Sequence, residues 1–165
     1  MDISRHLGVL RRYALVLTRD PERAEDLVQE AALRALEGAH TWRDGNDLRK
    51  WLLAIVHNTH ASRCRRKHTE NAAEATLAAQ AVKAQAPNQT DRVSLGETVA
   101  ALMMLPEEQR EVLMLVAVEG MSYRDAAECL GIPLGTLMSR LSRARAALRA
   151  AADQDAPAPH LRLVR

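Results

Sequence analysis

The chain has 165 residues, of which 27% are charged and 2% aromatic, with no Phe and a formal net charge of only +2. Its core must therefore come from Leu, Val, Ala and Met, which favours packed helices over sheet, because strands draw on aromatic and β-branched side chains. No apolar run approaches about 18 residues and the N-terminus lacks a signal-peptide pattern, so neither a membrane-spanning nor a secreted chain is expected.

Ile3, Leu7, Leu10, Ala14 and Leu17 repeat at helical spacing and predict a first helix. Asp20-Pro21 restarts the chain, with Asp20 placed to cap and Pro21 at the first helical position. The second helix runs to about Glu37 and is closed by Gly38. After a polar loop, His40 to Asp47, the third helix runs from about Leu48 to Lys67. It packs through Leu48, Leu52, Ile55, Val56 and Thr59 and finishes in Arg63, Arg65, Arg66 and Lys67, which suits a helix C-terminus. Residues 68–90 have too little apolar surface for a core and read as a flexible linker.

Order is expected to resume near Asp91, with one helix through Val99, Leu102 and Met103 and another opened by Pro106 and broken by Gly120. Ser122-Tyr123-Arg124-Asp125 is a capping box for a short helix ending at Gly131. Gly131 to Arg145 then read as the turn and second helix of a helix-turn-helix. On a wheel of about 100° per residue, Leu137, Leu141, Ala144 and Leu148 fall together. Opposite them lie Gly135, Ser139, Ser142 and Ala146, flanked by Met138, Arg143 and Arg149. A buried stripe backed by small and basic residues suits a helix lying in the major groove of duplex DNA. Residues 153–165 read as a tail. The expected architecture is all-α: two small helical domains, 1–67 and 91–152, joined by a flexible linker.

The charge is segregated along this plan. Residues 1–68 and 132–165 each sum to +4, while 69–98 sum to −2 and 99–131 to −4. Such blocks suit two basic nucleic-acid faces beside acidic protein-facing surfaces. On the second helix, Ala24, Leu27, Val28, Ala31 and Ala35 share one face, and Glu22, Asp26, Gln29, Glu30, Leu33 and Glu37 the other. A large apolar Leu33 inside an acidic stripe marks a docking patch for a basic protein helix. Trp42 is read either as a stacking platform for a base or as a cover for the end of the core, while Asn58 carries both a donor and an acceptor.

His57, His60, Cys64 and His68 lie on one side of the third helix, but His57 and His68 are separated by about 16 Å of helix axis, too far for one ion. His60 with Cys64 would make half a site, and no second half is visible, so a polar helix face is expected, with no metal or cofactor. Cys64 and Cys129 show no Cys-x-x-Cys spacing, as in a reducing cytoplasm, and are read as inert thiols. There is no Gly-rich phosphate loop and no Ser/His/Asp arrangement, so the expected role is non-enzymatic.

In this order the elements resemble a bacterial RNA polymerase sigma factor of the extracytoplasmic-function (ECF) group, over nearly everything from Tyr13 to Arg149 except the linker. Ala24-Glu25-Asp26-Leu27-Val28-Gln29-Glu30, with Trp51-Leu52 and Ile55 downstream, resembles the family's second region. Leu105-Pro106-Glu107-Glu108-Gln109-Arg110, through Gly135-Thr136-Leu137-Met138-Ser139-Arg140 to Ala144-Arg145, resembles its fourth.

The resemblance implies a cytoplasmic initiation factor, associated with the nucleoid in holoenzyme and held by an anti-sigma partner, which can itself sit at the membrane. It implies docking on core polymerase through Asp26, Gln29, Glu30 and Leu33. It further implies capture of the minus-ten strand by Trp42, Ile55, Asn58, Arg63, Arg65 and Arg66. Reading of the minus-thirty-five duplex would fall to Ser139, Ser142 and Arg143, with Arg140 and Arg145 nearer phosphates. Met138 stands where the family places Lys or Arg, Ser62 where Asp is frequent, and Ala31 and Ala32 where aromatic residues are common. Two other readings stay open: a free-standing helix-turn-helix regulator, and a sigma-like adaptor that sequesters an anti-sigma factor.

Overall fold

The computed structural model describes residues 2–43, 47–74 and 95–155. These contain seven α-helices and no strand: α1 (Leu7–Thr18), α2 (Pro21–Glu37), α3 (Leu48–Glu74), α4 (Leu95–Met104), α5 (Glu107–Leu113), α6 (Tyr123–Leu130) and α7 (Leu134–Asp155). The local signals act where the sequence puts them. Asp20 accepts from the backbone N–H groups of Glu22 and Arg23 at the start of α2, with Pro21 in its first turn. Ser122 accepts from the Asp125 N–H at the start of α6, and Gly131 ends that helix at φ +63, a left-handed conformation in which a side chain is strained.

Two helices differ from expectation. α3 runs past Lys67 to Glu74, seven residues into the expected linker. Extending an existing helix needs only favourable propagation, and Glu70, Ala72, Ala73 and Glu74 are all good formers. The rest of that linker, 75–90, and the expected restart at 91–94 lie outside the described residues, as do Asp44 to Asn46 of the polar loop and residues 156–165 of the tail. After Leu113 the chain widens into a π-turn, Met114–Val118, instead of continuing as α-helix to Gly120. The Met121 N–H there reaches back to the Leu115 carbonyl at 3.0 Å, and the wider turn carries Glu119 inward.

α1, α2 and α3 pack mutually through Leu10, Tyr13, Ala14, Leu17, Leu27, Val28, Leu52, Leu53 and Val56, all buried. α5, α6 and α4 pack on α7 through Val112, Leu115, Ala126, Leu130, Leu137, Leu141 and Ala144. Each fully buried Leu or Val contributes about 1.5–3 kcal/mol, so these two stripes hold each half together. The halves do not stand apart. α5 packs on α1 and α6 packs on α3, and the buried apolar side chains of both halves form one continuous cluster.

Candidate nucleic-acid and polymerase interfaces

α7 presents the face expected of a reading helix. Leu137, Leu141 and Ala144 are 0–2% exposed, while Gly135, Met138, Ser139, Ser142, Arg143, Ala146 and Arg149 are all exposed. Small side chains on the outer face let the backbone approach a groove floor closely. Ser139 donates to the Thr136 carbonyl at 2.9 Å. Arg145 donates through Nη1 to the Tyr123 hydroxyl at 3.3 Å, and Arg140 is half-buried with Nη2 3.0 Å from Glu108. Arg143 is exposed and makes no hydrogen bond or ion pair among the described residues.

The α2 face is likewise sorted. Ala24, Leu27, Val28, Ala31 and Ala35 are buried, with Asp26 and Gln29 exposed and Leu33 61% exposed beside Leu36 at 59%. Glu30 is held more firmly than a solvated acid. It accepts from Arg63 Nε at 2.6 Å and from Arg34 Nη2 at 2.7 Å, while Arg63 Nη2 also donates to the Asp26 carbonyl at 3.0 Å. Burial alone would raise the Glu30 pKa, but the two guanidiniums bring it below the ordinary value. Arg63, expected among the phosphate-facing residues, therefore clamps α3 to α2 with its side chain only 28% exposed. Arg65 and Arg66, further along α3, are exposed.

Trp42 follows the turn Ala39–Thr41 and is half-buried, and its indole Nε1 is buried without a hydrogen-bond acceptor among the described residues. Ile55 packs partly on the core, and Asn58, three residues further along α3, is exposed. Lys50, Trp51 and Ala54 of α3 line a groove completed by Asp125, Glu128 and Cys129 of α6. The side of α3 next to Ile55 is thus partly roofed by the C-terminal half.

The contact between halves is more polar than its setting would lead one to expect. Arg110, 1% exposed, donates from Nε to the Val16 carbonyl at 2.5 Å and from Nη1 to the Leu105 carbonyl at 2.8 Å, and Arg19 donates to the same Leu105 oxygen at 2.8 Å. Val16 lies in the last turn of α1, where a cation also meets the helix dipole favourably. Glu119, its side chain fully buried, pairs with both Arg12 of α1 and Arg49 of α3. Lys50 pairs with Asp125 at 2.7 Å, and His60 Nε2 donates to Glu107 at 2.8 Å. Glu111 is 6% exposed and lies 3.7 Å from His57 Nδ1, which is 3.5 Å from the Tyr13 hydroxyl. Burial and then Glu107 push the Glu111 carboxyl up to about 7.

His57, His60, Glu107, Arg110 and Asp125 stand out in the sequence for other reasons, but nothing there marks any of these charged residues as a contact between the halves. The one available signal is register: Arg110 lies three residues before Leu113, on the same side of α5.

Residues 3–70 match the family model Sigma-70 region 2, and residues 95–148 match Sigma-70, region 4. The chain is 40% identical over 149 residues to the ECF RNA polymerase sigma factor EcfG of Rhodopseudomonas palustris, covering 90% of this chain and 82% of that one. This protein belongs to the ECF sigma factors. It directs promoter-specific initiation with core RNA polymerase. The sigma factor SigM of Mycobacterium tuberculosis is 38% identical over 148 residues, covering 87% of this chain and 71% of SigM. Among solved structures, the Bartonella quintana sigma factor RpoE, in complex with the anti-sigma factor NepR, superposes with a TM-score of 0.74 at 33% identity, covering 93% of this chain and 95% of that one. CnrH in complex with the cytosolic domain of CnrY gives 0.64 at 26% identity, covering 93% and 86%.

Proposed function

We propose that α7 reads the minus-thirty-five duplex through Ser139, Ser142 and Arg143, with Arg140 and Arg145 beside phosphates. The N-terminal half docks on core polymerase through Asp26, Gln29, Glu30 and Leu33. It captures the minus-ten strand with Trp42, Ile55 and Asn58, aided by Arg65 and Arg66, while Arg63 fixes the docking face. The observation that carries this reading is the outer face of α7, where Ser139, Ser142 and Arg143 are exposed over a stripe of buried Leu137, Leu141 and Ala144. The indole N–H of Trp42, buried without an acceptor among the described residues, supports a base held at Trp42 in the N-terminal half, since an acceptor on that base would satisfy it.

Promoter reading requires the halves to separate. The two promoter elements lie roughly 25 base pairs apart, about 85 Å of B-DNA at 3.4 Å per pair. A compact chain of this length has a radius of gyration of only about 15 Å. The packed arrangement is therefore a resting state, and opening it uncovers the α3 surface beneath α6. The solved relatives RpoE and CnrH are bound by NepR and CnrY, which supports an anti-sigma partner here as well, in the cytoplasm. No described helix is long and apolar enough to cross a membrane. Family membership favours a non-enzymatic initiation factor over the adaptor and the free-standing regulator.

The test is run-off transcription by purified core polymerase on the promoter of this protein's own operon. A defined start that depends on the protein supports the reading. No transcript, with no co-elution with core enzyme, overturns it.

A further inference from the structure

His60 and Cys64 stand four residues apart on α3, so their side chains share a face, and α5 brings Glu107 against them from the other half of the chain. His60 Nε2 is 2.8 Å from Glu107 Oε1 and 3.6 Å from Cys64 Sγ, and the three ligand atoms lie within 4.8 Å of one another. A tetrahedral zinc ion with bonds of about 2.0–2.3 Å holds its ligand atoms roughly 3.3–3.8 Å apart. The His60–Glu107 pair must open by about 0.5 Å, and Cys64 and Glu107, within 4.8 Å of each other, must close by up to about 1.2 Å.

We propose that His60, Cys64 and Glu107 form a zinc site that bridges the two halves and latches them closed. Thiolate, imidazole and carboxylate are the donors zinc selects. They border a cleft of about 490 Å³, also lined by Thr18, Asp26, Glu30 and Lys67, which gives an entry path and room for a water as fourth ligand. Arg23, Arg63, Arg66 and Lys67 line the same cleft and oppose a free cation. A zinc ion held by one thiolate, one carboxylate and one neutral imidazole is neutral as a unit, so this opposition is small. Cys64 is a thiol without metal, its pKa raised first by burial, and binding releases its proton to solvent. Because one ligand comes from α5 and two from α3, only the packed arrangement completes the site. Mass action then stabilises that arrangement as the free ion concentration rises above its dissociation constant.

The binding claim is independent of promoter reading, whereas its effect on transcription rests on that reading, and the two are tested separately. The full chain, kept reduced with a phosphine, is titrated with Co²⁺ as a zinc surrogate. One equivalent is expected to give thiolate-to-cobalt charge-transfer absorption and the strong visible bands of tetrahedral cobalt, both displaced by Zn²⁺. The spectrum should vanish in Cys64→Ser and persist in Cys129→Ser. Glu107→Gln should weaken binding by more than the ~10-fold typical of losing an outer-shell partner. Absence of a thiolate band in a chain folded by circular dichroism, or the same band in Cys64→Ser, overturns the site. Undiminished affinity in Glu107→Gln overturns the bridge. In run-off transcription, zinc should lower the yield several-fold for the wild type and not for Cys64→Ser, and equal sensitivity of the two overturns the latch.

Discussion

The guanidinium of Arg110 on α5 donates to the Val16 carbonyl on α1 at 2.5 Å, across 94 residues of sequence. This bond joins the N-terminal half to the C-terminal half at the end of a helix, in a site where Arg110 is 1% exposed.

Arg110→Ala should destabilise the packed chain by about 2–4 kcal/mol, because two buried carbonyls lose a charged donor and a cavity opens. Arg110→Lys should not restore it, since one ammonium cannot reproduce the two-pronged geometry toward Val16 and Leu105. Urea denaturation followed by circular dichroism measures both variants. An unchanged midpoint for Arg110→Ala would contradict the role given to this bond.

Glu111 makes the packing pH-dependent. Burial and then Glu107 lift its pKa from 4.5 to about 7. An acid whose pKa is higher in the folded chain than in the unfolded one stabilises the fold while protonated. That contribution is present below the unfolded value and is lost as pH rises through about 7. His57 acts in the opposite sense, since burial and then His60 lower its pKa, but its cost appears only as pH falls below its ordinary value. Glu107, His60, Arg140 and Arg110 also act on Glu111. Relative to Glu111→Gln, the wild-type melting temperature should therefore fall as pH rises from about 4.5 to about 7, and the two should run parallel above about pH 8. The same slope in both proteins below about pH 7 would remove Glu111 as its source.

Arg143→Ala should weaken promoter-dependent initiation by about 1–3 kcal/mol and alter base preference in the minus-thirty-five element. Arg145→Ala should weaken initiation equally on all sequences and reduce its salt dependence. Abortive-initiation assays on a panel of single-base promoter variants separate the two. A uniform loss for Arg143→Ala would demote that side chain to a phosphate contact.

Asp26→Arg should abolish binding to core polymerase while leaving the fold intact, because Asp26 is exposed on α2. Arg63→Ala should also weaken core binding, through release of Glu30, with little change in the salt dependence of promoter binding. Co-elution with core enzyme and fluorescence anisotropy on promoter DNA report these separately. Normal core affinity in Asp26→Arg would remove the docking assignment.

The helices and their faces were legible because their causes are local. Asp20, Pro21, Gly38, Ser122 and Gly131 mark ends by backbone chemistry within a few residues, and the spacing of Leu137, Leu141 and Ala144 already names the buried side of α7. The packing between halves was not legible, because its partners are far apart in sequence. Glu119 reads as one more acid after an apolar run until the π-turn carries it beneath Arg12 and Arg49. His60 and Cys64 read as half a metal site until α5 supplies Glu107, 47 residues after His60. Arg63 reads as part of a basic run, and only the packing of α3 on α2 turns it to Glu30.

On the proposed function, the packed arrangement must open before the promoter is read. Lys50 and Asp125, paired at 2.7 Å across the two halves, allow a direct test. In a background carrying Cys64→Ser and Cys129→Ser, the double variant Lys50→Cys/Asp125→Cys is joined with a short bis-maleimide and assayed by run-off transcription. The cross-linked protein should fail to initiate, while each single variant, treated identically, initiates at the level of its untreated form. Full initiation by the cross-linked protein would show that the promoter is read with the halves packed.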